Sequence, residues 1–107
     1  GIELVTLIYG ATDRFSSTEI FGLTSPLRRA AVSIPSNIAE GQGRRSRKEF
    51  LQFLSHAFGS LLEVETQITI ACNLKFLEAG EADALIDKTS ELSRILTGLM
   101  ASMKSTE

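Results

Sequence analysis

The sequence has one cysteine, one histidine, two prolines and no tryptophan in 107 residues, and each scarcity excludes something. With Cys72 alone, no disulfide can close within the chain and no thiolate cluster can hold a metal, so a reducing cytoplasm is the expected setting. The single His56 has Phe53 three residues before it, which removes the paired Glu-x-x-His sets of a di-iron bundle. No apolar run approaches the roughly 20 residues that span a bilayer, so no membrane segment is expected. No basic segment leads into an apolar stretch with a small-residue cleavage site, so no secretory signal is expected either. The chain opens at Gly1, without methionine and inside a pattern that already reads as helical, so preceding residues are expected.

What is present is a chain with 43% apolar residues, too hydrophobic for disorder and long enough for one domain (1–107) with its own core. Eleven basic and thirteen acidic residues give a net charge of −2, which argues against coating nucleic acid by bulk charge. The distribution is uneven. Between Arg28 and Lys48, six basic residues face one acid, Glu40, so that this third carries +5 and the remainder −7.

Apolar spacing predicts four helices and no strands. In the first, about 2–14, Ile2, Val5, Ile8, Tyr9 and Thr12 recur at three- and four-residue steps, and Leu4, Leu7 and Ala11 widen the face. Phe15 to Glu19 reads as a connection. The second helix, about 19–41, has a lead-in to Leu23, Ser25 as a candidate cap before Pro26, and a stripe of Leu27, Ala30, Ala31, Ile34, Ile38 and Gly41. Pro35 lies inside it and is expected to kink rather than break it. Gly41 is placed to end it in the left-handed conformation, and Ser46 with Glu49 forms a capping-box signature for a third helix, about 47–75. That helix is apolar over a wide arc, from Phe50 and Phe53 through Leu54, Ala57, Phe58, Leu61, Val64, Ile68 and Ala71 to Cys72, more than one core requires. Glu78 to Gly80 reads as a hinge before the fourth helix, about 81–104, with Leu85, Thr89, Leu92, Leu96, Leu99 and Met103 inward. Short connections favour an antiparallel up-down-up-down four-helix bundle.

Chemistry-bearing residues are few. His56, Ser60, Glu63 and Gln67 form a polar stripe without a positioned nucleophile, and Cys72 stands about 24 Å along the helix from His56, so no catalytic residue is assigned. No metal site and no cofactor are expected. Arg29, Ser33, Asn37 and Glu40 share a face of the second helix and, with Glu63, read as a structural polar network that sets helix register. Gly41-Gln42-Gly43 lacks the spacing of a phosphate loop. The remaining candidates are Arg44, Arg45, Arg47 and Lys48 around a helix N-terminus, a place that favours anions, with solvated surface as the other reading.

The stretch LRRAAVSIPSNIAEGQGRRSRKEF (27–50), followed by FLSHAFGSLLEVETQ (53–67), resembles the small four-helix-bundle proteins encoded in intervening sequences of bacterial 23S ribosomal RNA genes. More distantly it is similar to the accessory protein of diversity-generating retroelements. The resemblance runs from Tyr9 to the LTGLM of the last helix, with Pro26 and the acidic net charge as departures. It implies a ring-shaped homopentamer in the bacterial cytoplasm, no established enzymatic activity, and a suggested role in binding RNA or DNA. Carried onto this chain, the basic residues are Arg28, Arg29, Arg44, Arg45, Arg47 and Lys48. The leading expectation is a non-enzymatic oligomeric protein gripping nucleic-acid phosphates through this corner; the alternative is a protein-interaction adaptor.

Overall fold

A computed structural model describes residues 1–15 and 20–104, apart from the side chains of Ile20 and Phe21. Four α-helices account for most of them: α1 (Ile2–Thr12), α2 (Ser25–Gln42), α3 (Arg47–Asn73) and α4 (Ala79–Lys104). There is no strand among the described residues. The expected connection at Ser16 to Glu19 lies outside them. α3 packs against both α2 and α4, and α1 leans on α2 and α4, so that the particle is elongated, 47 × 22 × 18 Å.

The core follows the periodicity on α2 and α3. Leu27, Ala30, Ala31 and Ile34 meet Leu54, Ala57, Leu61, Val64 and Ile68, all buried, with Ile8 and Leu96 closing the sides. On α1 the buried face is Leu4, Ile8 and Thr12, whereas Ile2 is 76% exposed and Tyr9 lies at the surface. Nearly every turn of α1 is apolar around its circumference, so spacing alone could not choose the inward arc. Thr89, on the predicted apolar stripe of α4, is fully buried, its hydroxyl 2.7 Å from Glu65 Oε2 and 2.9 Å from the Ile86 carbonyl. Glu3 and Lys88 tie α1 to α4 at 2.9 Å, and this mutual hydrogen bond holds the Glu3 carboxyl below its usual range and raises the Lys88 ammonium.

Three terminus assignments are corrected. α2 is not capped by Ser25: a π-helical turn, Ile20–Thr24, runs directly into it. Pro26 has no N–H to give the Gly22 carbonyl, so the helical ladder lacks a rung where the turn widens. α2 is helical through Pro35 and ends not at Gly41 but at Gln42, with Gly43 after it at φ −80°. Gly41 has no positive φ. Its lack of a side chain serves packing instead, because a Cβ there would lie 2.8 Å from both Phe50 Cδ1 and Phe53 Cβ.

The hinge before α4 also lies earlier than expected. α3 stops at Asn73, where Phe76 N–H donates to the Ala71 carbonyl at 2.9 Å and Lys75 N–H to the Cys72 carbonyl at 3.0 Å, a Schellman arrangement. The left-handed position in this motif is Lys75, at φ 69°. A side chain there costs about 1–2 kcal/mol, and glycine would give back part of that in unfolded-chain entropy. Lys75→Gly is therefore expected to stabilise the fold by about 0.5–1 kcal/mol, read as a higher urea midpoint with an unchanged slope.

Candidate nucleic-acid interface

The α2–α3 corner is built by its own sequence. Arg44 N–H donates to the Gly41 carbonyl at 3.1 Å, which folds the chain back after Gln42. Ser46, in extended conformation at φ −107° and ψ 147°, then caps α3: its Oγ accepts from Glu49 N–H at 3.1 Å and donates to Glu49 Oε1 at 3.2 Å. The cap and the acidic Glu49 already serve the electropositive end of α3. What the corner offers an anion is therefore side chains rather than a cradle of free amides.

Arg44, Arg45, Arg47 and Lys48 are all exposed around this turn. Arg44 is partly committed, with Nη2 3.0 Å from Glu40 Oε1 and its guanidinium 4.9 Å from the centroid of the Phe53 ring. Arg45 and Lys48 have no hydrogen bond or ion pair among the described residues and stand free in solvent. Holding such cations close together costs electrostatic energy that a phosphate backbone relieves.

The other two basic candidates lie elsewhere. From Arg28 to the end of α2 is about 21 Å at the helical rise, so the +5 third of the sequence is two patches and not one. Arg28 is a structural tie between α2 and α1. Its Nε donates to Thr12 Oγ1 at 2.7 Å, its Nη2 to Asp13 Oδ1 at 2.9 Å and to the Tyr9 carbonyl at 3.3 Å, and its Cζ lies over the Tyr9 ring, 4.4 Å from the centroid. Arg29 points outward and is unpaired among the described residues. Arg28→Met is accordingly expected to cost about 1–2 kcal/mol in thermal unfolding, because charge-assisted bonds to Thr12 and Asp13 are lost, whereas Arg29→Met stays within about 0.5 kcal/mol.

The predicted polar network is divided as well. Ser33 and Ser60 share a hydrogen bond of 2.8 Å across α2 and α3, and Asn37 Nδ2 donates to the Ser33 carbonyl at 2.8 Å and to Ser33 Oγ at 2.9 Å. Glu40 pairs with Arg44 instead of joining that set, and Glu63 accepts from Gln67 Nε2 at 3.4 Å. Arg29 and Glu63 only border a shallow cleft that has Ser33, Ser60 and Ala30 on its floor. The helical period brought the right residues to one face, yet it could not say that Arg44, beyond the helix end, would capture Glu40.

No group of three His, Cys, Asp or Glu among the described residues is placed to hold a metal ion. No described helix is long and apolar enough to cross a membrane. His56 is exposed, its ring edge-on to Phe53 at 6.3 Å, and Cys72 packs half-buried against the core.

No curated protein matches the sequence. A crystal structure from Bacteroides thetaiotaomicron VPI-5482, described as a protein with unknown function from the S23 ribosomal protein family, superposes with a TM-score of 0.79 over 92% of this chain and 89% of that one, at 18% identity. At that identity the likeness is one of fold. The profile of the 23S rRNA-intervening sequence protein family matches residues 1–98, and the chain therefore belongs to that family.

Proposed function

We propose that the chain is a non-enzymatic, oligomeric binding protein of the bacterial cytoplasm that contacts RNA or DNA phosphates through the α2–α3 corner. The observation that carries this reading is the exposure of Arg45 and Lys48 without partners, beside Arg44 and Arg47, on a turn whose capping leaves the side chains pointing at solvent. Arg28 is withdrawn from the phosphate-gripping set of the corner, because it lies about 21 Å from the end of α2 and its Nε and Nη2 are committed to Thr12, Asp13 and the Tyr9 carbonyl.

Within this reading the helices form an antiparallel up-down-up-down bundle, and five copies close into a ring. Support for the first comes from the short links at 43–46 and 74–78 and from the packing of α2 and α4 on α3. Support for the second comes from Leu62 and Ile70 on α3 and Leu74 just past its end, which are 48%, 41% and 57% exposed. An exposed apolar row of this kind favours burial against another surface. A ring multiplies a weak corner, since each further contact is made at high effective concentration, and binding then falls steeply with salt.

Filter binding with structured RNA and with duplex DNA, at low and at high salt, tests the reading. Retention at low salt that is lost at high salt supports it; no retention at low salt sinks it. The same apolar row also suits a protein partner, and that adaptor reading wins if sedimentation shows a ring while nucleic acid is never retained.

A further inference from the structure

At the far end of α2 from the corner, Tyr9, Ser25, Arg28, Arg29 and Val32 line an open cleft of about 520 Å³. Tyr9 is the only tyrosine of the chain and is 42% exposed, although α1 has a buried face beside it. Arg28 lies over the ring at 4.4 Å and is held there by the Thr12 hydroxyl, the Tyr9 carbonyl and the Asp13 carboxylate. A flat cation on an aromatic ring is thus fixed in place before any ligand arrives, with no side-chain entropy left to lose on binding. Arg29, the next residue, keeps its whole fork of donors free among the described residues.

We propose that this cleft binds an unpaired nucleobase together with its adjoining phosphate, the base stacking on the Tyr9–Arg28 platform and the phosphate meeting Arg29. The proposal takes its ligand class from the nucleic-acid reading above but stands on different residues. Tying α1 to α2 accounts for the bonds of Arg28; it does not account for an exposed ring beside a second, unpaired arginine. A base paired within a duplex has both faces covered by its neighbours, so the site selects single strands or free nucleotides.

Because the chain has no tryptophan, Tyr9 is its sole strong emitter and its fluorescence reports the site directly. Four ligands are titrated at low salt: a single-stranded oligoadenylate, an abasic strand of the same length and charge, a blunt-ended RNA duplex, and AMP. The oligoadenylate is expected to quench Tyr9 saturably, while the abasic strand and the duplex are retained by the corner without quenching. Quenching by AMP as well identifies a free nucleotide as sufficient; quenching by the strand alone identifies a strand as the ligand. By anisotropy, Tyr9→Leu weakens oligoadenylate binding about 5- to 100-fold, Tyr9→Phe leaves it within about twofold, and Arg29→Ala lowers the salt slope by about 0.7. Unchanged emission while gel shifts show the oligoadenylate bound, or equal quenching by the abasic strand, overturns the proposal and leaves the corner reading standing. Absence of all nucleic-acid binding removes both.

Discussion

Gly41→Ala is expected to lower the melting temperature by several degrees, while Gly59→Ala and Gly98→Ala raise it by a few. All three glycines lie inside helices, where alanine gains about 0.5–1 kcal/mol in backbone entropy. At Gly59 and Gly98 an added Cβ meets nothing within 4 Å, so that gain stands alone. At Gly41 it meets Phe50 Cδ1 and Phe53 Cβ at 2.8 Å each. The phenyl ring can swing aside, but Phe53 Cβ is fixed to the backbone of α3, and relieving that contact means moving one helix away from the other. Overpacking of this kind costs about 1–3 kcal/mol, which outweighs the propensity gain. At roughly 4 °C per kcal/mol for a domain of this size, calorimetry on the three variants separates the two effects. A stabilised Gly41→Ala protein would mean that the α2–α3 approach is looser than the 2.8 Å contacts require.

Removing the free cations of the corner gives the other large effect. Arg45→Ala combined with Lys48→Ala is expected to weaken retention of structured RNA about tenfold or more at low salt. Each phosphate contact contributes about 0.7–0.9 to the slope of log affinity against log salt, so losing two per protomer flattens the slope by about 1.4–1.8, and by more in a ring that engages several corners at once. Arg94→Ala combined with Lys104→Ala, an equal change of charge at exposed positions of α4, serves as the control and should leave the slope unaltered. Equal losses from both variants would indicate a response to net charge alone. Neither Arg45 nor Lys48 has a bond within the described fold, so the double variant should melt with the parent protein, which keeps the binding result interpretable.

Sequence and structure meet best where one short-range rule governs. The Ser46–Glu49 cap was legible because a hydroxyl acceptor and the N–H three residues on are fixed by local geometry. The stripe from Leu27 to Ile34 was legible because α2 is polar on its outer face and leaves one arc to bury. Gly41 departs from the local rule for a physical reason. A glycine near a helix end satisfies the rule for a left-handed stop, and its actual work, admitting Phe50 and Phe53 from another helix, leaves no mark in the neighbouring residues. Lys75 is the converse, a left-handed residue that no glycine announced. In the candidate site, the corner cations were visible as a charge run, whereas the withdrawal of Arg28 was not: its acceptors, Thr12 and Asp13, lie on an element whose inward face the sequence left open.

The sequence by itself determined that the chain is helical, where α2 and α3 turn, and that its basic residues concentrate between Arg28 and Lys48, because periodicity, capping and charge are written in residues close together along the chain. Only the tertiary structure decided which of those charges are available. The length of α2 sets Arg28 and Arg29 apart from the corner, and the packing of α1 onto α2 turns one arginine into a fixed platform over Tyr9 while its neighbour stays free. Availability depends on contacts between residues distant in sequence, and no local pattern encodes those.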